Sequence, residues 1–159
     1  MQLRLILVLI GILIGVLPLN SCTCGVIGSP TMQGSFDGSD LVVVGTVISG
    51  EEFRTLDSTS MGSRYFRYPQ MRYRVVISEK FKGNFRSDTV TIITGMGHGD
   101  CGYQFGIGYE YIIYGYKQYK DRSSDRVVNF FETDICTRTR GASDLKKIQE
   151  LRMLVSEQN

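Results

Sequence analysis

Four cysteines constrain this chain more than any other feature. Two stand one residue apart, in the stretch "LPLNSCTCGV", at Cys22 and Cys24; the others are Cys101 and Cys136. Ahead of them, Arg4 is the only charge, and an apolar run from Leu5 to Leu17 ends at Pro18. A charged start and a short apolar core make the pattern of a secretory signal, here residues 1–21. The run falls short of the roughly 20 apolar residues that span a bilayer as a helix. No later segment is longer, so no transmembrane span is expected. All four cysteines follow the leader, and an even count in an exported chain reads as two disulfides.

Four cysteines allow three pairings. Joining Cys22 to Cys24 closes a very tight ring and is geometrically poor. Two pairings remain, Cys22–Cys101 with Cys24–Cys136 and the crossed arrangement. Either one staples the new N-terminus, which ordinarily frays, to two distant points of residues 22–159. That length reads as a single domain.

Charge and motifs narrow the function classes. The chain has 18 basic and 16 acidic residues, and removing Arg4 with the leader brings it close to neutral. That balance excludes a nucleic-acid partner held by bulk charge. The mixed stretch "RYFRYPQMRY" (64–73) reads as a loop leading into a strand. No nucleophile elbow, HExxH pair or phosphate loop is present, so no enzymatic activity is expected. His98 is the only histidine. With Asp100 and an oxidised Cys101 it falls short of the three or four ligands of a zinc site. No cofactor and no intrinsic metal are expected.

The hydropathy pattern is that of short strands followed by one helix. Residues 28–40 read as loop with about one turn of helix. "DLVVVGTVIS" is a strand whose apolar residues fall on both faces, which places it centrally or in a barrel wall, with Gly45 at a bend. Residues 50–69 are polar and read as a long loop. "MRYRVVISEKF", "TVTIIT", "YEYIIYGYK" and "RVVNFFET" are the next four strands, and "GMGHGDCG" (95–102) is a glycine-rich loop. The tyrosines of the fourth strand read as packing residues. From Ser143 the period changes to helical, with Ser143 as cap and Leu145, Ile148, Leu151 and Val155 on one face over 143–157. This predicts an all-β domain with a C-terminal helix, best matched by a five-stranded OB-fold-like Greek-key barrel, since closure hides the strand edges.

Cys-Thr-Cys at the mature start, "SDLVVVGTV", "FKG", "CGYQFGIGYEYIIYG", the late Cys136 and the closing helix together resemble the N-terminal inhibitory domain of tissue inhibitors of metalloproteinases. The wider group is the netrin-like module on an OB-fold. The resemblance covers nearly all of residues 22–159. It implies the pairs Cys22–Cys101 and Cys24–Cys136, and an extracellular or periplasmic protein whose partner is a zinc metalloprotease. It further implies that the α-amine and carbonyl oxygen of Cys22 chelate the protease zinc and that Thr23 enters the specificity pocket. Cys24, Asp100, Cys101 and Gly102 would contact the enzyme alongside. The third disulfide and the separate C-terminal domain of the animal inhibitors have no counterpart here. A netrin-like module that binds another extracellular protein without inhibiting is the second reading. A third concerns "LNSC", which resembles a bacterial lipoprotein box; lipid on Cys22 would anchor the chain at a membrane surface and exclude both the Cys22 bridge and the chelate.

Overall fold

The computed structural model describes Cys22, Cys24 and residues 31–57, 66–97, 99–117 and 129–157. The proposed leader, Thr23 and His98 lie outside the described residues. Helix α1 is Met32–Gly38. The strands are β1 (Leu41–Asp57), β2 (Phe66–Lys82), β3 (Thr89–Thr94), β4 (Glu110–Gly115), β5 (Phe130–Glu132) and β6 (Arg140–Gly141); helix α2, Leu145–Ser156, follows. The molecule is mostly β. One curled, half-barrel sheet has the order β5-β3-β2-β1-β4-β6, so a short sixth strand joins the five expected. All neighbours are antiparallel except β3 and β5, which run parallel. Beyond the named strands a bridge pairs Tyr116, just past β4, with Glu132 of β5.

The run "LVVV" is apolar on both faces because β1 is covered on both. Inside the curl, Leu41, Val43 and Val47 pack with Tyr73, Val75, Val90, Ile92, Phe105, Ile113 and Phe131. On the outer face, Val42 and Val44 lie with Ile112 and Tyr114 beneath Phe36 of α1 and Ile148 and Leu151 of α2. Strand alternation sends successive side chains to opposite faces, so one segment feeds two cores. The register between β1 and β2 shifts between Val44 and Gly45, among other places, where the bend was expected.

Three local expectations change. Residues 50–69 are not a long loop: β1 runs on to Asp57 and β2 starts at Phe66, paired residue for residue from Gly50↔Tyr73 to Asp57↔Phe66. Cross-strand contacts sustain this polar ribbon. The Arg72 guanidinium lies 4.4 Å from the centre of the Phe53 ring and 3.3 Å from the Glu51 carboxylate. The basic-aromatic stretch is therefore strand from Phe66 onward. Second, the turn of helix expected before β1 is present but runs to seven residues, started by Thr31, whose hydroxyl accepts the Gly34 N–H at 3.0 Å. Third, Asp144 rather than Ser143 occupies the cap position of α2, with no side-chain cap bond. Leu145, at the first helical position, is 71% exposed. It lies outside the outer-face cluster that holds Ile148 and Leu151.

Candidate functional site

Parallel pairing of β3 with β5 decides where the cysteine-bearing loops lie. Thr91↔Phe130 and Ile93↔Glu132 run in one direction, so both strands end at one end of the sheet. Residues 95–102 leave β3 there, and residues 133–139 leave β5 beside them. Two backbone bonds tie the exits together: Thr133 N–H donates to Ile93 O at 3.0 Å, and Ile135 N–H to Cys101 O at 2.9 Å.

The first loop is organised around one carboxylate. Asp100 accepts the N–H groups of Met96 at 2.7 Å, Gly97 at 2.6 Å and Gly102 at 3.1 Å. Gly97 has φ 78°, a backbone region that costs glycine little. A side chain at Gly102 would place its Cβ 2.2 Å from the Gly95 carbonyl carbon, so the chain folds back on itself only with glycine there. Thr94, buried at the end of β3, accepts the Tyr103 N–H at 2.8 Å and closes the loop.

The second loop repeats the device. Asp134 accepts the N–H groups of Cys136 at 2.8 Å and Thr137 at 3.0 Å. Thr133, Thr137 and Thr139 bring their hydroxyls within 3.1 Å of one another, and Thr133 donates to Tyr114 O at 2.8 Å. Cys101 thus sits on a loop held by an exposed aspartate that gathers backbone N–H groups, and Cys136 on one held by a buried to half-buried polar network.

The N-terminal strip is bolted onto these loops. Cys22 is bonded to Cys101 and Cys24 to Cys136, each with Cα atoms 5.4 Å apart. This is the pairing the resemblance implies. Sulfurs of Cys22, Cys101 and Cys136 lie within 4.8 Å of one another. All four cysteines are in bridges, and bridged sulfurs are not the thiolates that ligate metals. Cys24 is exposed and Cys22, Cys101 and Cys136 half-buried. Alongside lies an open concavity of about 610 Å³ lined by Pro69, Gln70, Met96, Asp100, Cys101 and Asp134, among others.

Of the sequence-predicted site residues, the structure brings Cys22, Cys24, Asp100, Cys101, Gly102 and Cys136 to one end of the sheet. Within that group Asp100 turns its carboxylate into its own loop, and Gly102 is buried. Thr23 and His98 lie outside the described residues. Pro69, Gln70, Met96 and Asp134 belong to the same surface and were not singled out from sequence. For Asp134 the signal was present, since an Asp two residues before a loop cysteine is an Asx-turn pattern. The other three come from distant pairing.

The tyrosines in and just before β4 divide between roles. Tyr111 packs edge-on to Phe105 at 4.9 Å and Tyr114 is buried in the outer core, while Tyr109 is 68% exposed. Burial, reinforced by Tyr111, pushes the Tyr103 phenol above its ordinary value. Burial does the same for Tyr114, against the pull of Arg138 and Arg140. Both phenols stay neutral at physiological pH.

No helix among the described residues is long and apolar enough to cross a membrane. The two disulfides fit an extracellular setting. Neither family models nor curated proteins match this sequence.

Proposed function

We propose that this chain is an exported inhibitor of zinc metalloproteases, built on an OB-type, netrin-like Greek-key barrel and acting through the amine and carbonyl oxygen of Cys22. One observation carries the reading: two bridges hold Cys22 and Cys24 against the loops of Cys101 and Cys136 at one end of the sheet. The barrel reading is supported by the β1-β2-β3 meander, the parallel β3–β5 pair and the Tyr116↔Glu132 bridge, which brings the end of β4 to β5.

The chemistry follows from an N-terminal cysteine held still. A catalytic zinc keeps one position open for water, and that water becomes the nucleophile. An amine and carbonyl oxygen entering together displace it. An α-amine has an ordinary pKa of about 7.7–8.0, so shedding its proton to bind metal costs little at neutral pH. Two bridges preorganise the strip and reduce the ordering entropy lost on binding. Thr23 would enter the pocket beside the zinc. Cys24 and the Asp100–Gly102 loop would border the enzyme, with Asp100 acting by holding that loop in shape.

Two measurements test this on the naturally exported protein. Intact mass should match unmodified Cys22–Asn159 with two disulfides. An added diacylglyceryl group would refute the chelate and establish the surface-lipoprotein reading that "LNSC" favours. An extra alanine ahead of Cys22 should then abolish inhibition of a zinc protease while shifting Tm by no more than about 3 °C. Equal inhibition with and without the alanine would leave the barrel as a binding module without inhibitory chemistry.

A further inference from the structure

We propose that the two bridges form a thiol-triggered exchange switch, in which Cys101 leaves Cys22 for Cys136 and unties the N-terminal strip from the barrel. Its regulatory meaning rests on the inhibitor reading above; the exchange itself does not. The motivating observation is that three sulfurs from two different bridges, those of Cys22, Cys101 and Cys136, cluster within 4.8 Å, and that the Cys24 sulfur is not in that cluster. Cys136 therefore presents its sulfur to the neighbouring bridge, with Cys24 as the group that would leave.

The two segments that the new bond would join are already neighbours. Ile135 N–H donates to Cys101 O at 2.9 Å, so the segments carrying Cys101 and Cys136 touch, and their sulfurs lie within 4.8 Å of each other. Networks around Asp100 and Asp134 hold both segments. The two native bridges, by contrast, are the covalent ties of the strip to the barrel.

The reaction balances with one small thiol as co-reactant. Its thiolate attacks the Cys22 sulfur, forming a mixed disulfide there and releasing Cys101 as thiolate. Cys101 attacks the Cys136 sulfur, forming Cys101–Cys136 and expelling Cys24 as thiolate. Cys24 takes up the proton that the small thiol lost. Two disulfides and one thiol exist before and after, so no net oxidation or reduction occurs. The second step is intramolecular between two held loops, which gives it a high effective concentration. Afterwards the barrel is cross-linked to itself, and the Cys22 amine is no longer held at the site.

The test reads the bridges directly, so it is decided whether or not any protease is inhibited. The oxidised, naturally processed protein is incubated with reduced glutathione without denaturant, quenched with iodoacetamide and mapped without reduction. The expected products are a Cys101–Cys136 peptide pair, glutathione on Cys22 and the alkyl label on Cys24. Label on Cys101 with Cys24–Cys136 intact would overturn the switch, and so would a Cys22–Cys136 bridge, because the strip would remain tied. Cys22→Ser gives a second arm without added thiol: the label should move from Cys101 to Cys24, and label retained on Cys101 counts against the proposal. Should that variant fail to fold, the glutathione arm decides alone.

Discussion

Asp100 does more for the candidate site as an acceptor than as a surface charge. Three backbone N–H groups converge on its two oxygens, and charged acceptors make the stronger hydrogen bonds. Asp100→Asn leaves one carbonyl oxygen for those donors and turns an amide NH2 toward them. The expected loss is about 1–3 kcal/mol, read as a lower urea midpoint with an unchanged slope. Unchanged stability would show that the loop is held by its bridge alone. "GMGHGDC" is legible as a loop from its glycines. That the carboxylate turns back onto its own loop is not legible, because it depends on Gly97 adopting positive φ and on Gly102 lying against Gly95.

Among the elements, α2 is fastened to the sheet by more than its apolar stripe. Arg152 donates to both Glu79 oxygens, Nε to Oε1 and Nη2 to Oε2, each at 2.8 Å. Those bonds hold the Glu79 carboxyl below its ordinary value of 4.5, with desolvation opposing them. A carboxyl depressed in the folded state contributes stability above its unfolded pKa and loses it as pH falls through the lower folded value. Glu79→Gln should therefore cost less than about 1 kcal/mol at pH 7, the range of a solvent-accessible pair. The gap between natural protein and variant should close as pH drops below 4.5. Denaturant midpoints measured from pH 7 to pH 3 check this; a gap that widens toward acid would contradict it. The pair was invisible in the sequence because β2 and α2 are far apart along the chain. The long β1–β2 ribbon was missed for a related reason: its polar residues gain their strand preference from partners such as Arg72 with Glu51 and Phe53, not from local composition.

For the molecule as a whole, the two bridges join the start of residues 22–159 to both loops at one end of the sheet. They close separations of 79 and 112 residues. Removing Cys24–Cys136 by double substitution to alanine should cost about 2–4 kcal/mol, less than the bridge would contribute alone, because Cys22–Cys101 still restricts the unfolded chain. Thermal unfolding under non-reducing conditions reads the loss. A Tm within experimental scatter of the natural protein would mean that the bridge organises the site without stabilising the fold.

By itself the sequence determined the local and covalent features: the β-branched strands, the glycine-rich loop, the change to helical period near Ser143, and the even cysteine count. These depend on steric preference and on spacing along the chain, which are properties of short segments. Only the tertiary structure decided what depends on partners remote in sequence. The parallel β3–β5 pair carries Cys101 and Cys136 to one end, the sheet's two faces divide "LVVV" between two cores, and Pro69, Met96 and Asp134 meet around one concavity. Long-range pairing sets those positions, and the entropy of closing the intervening loops is recovered only when the whole sheet forms.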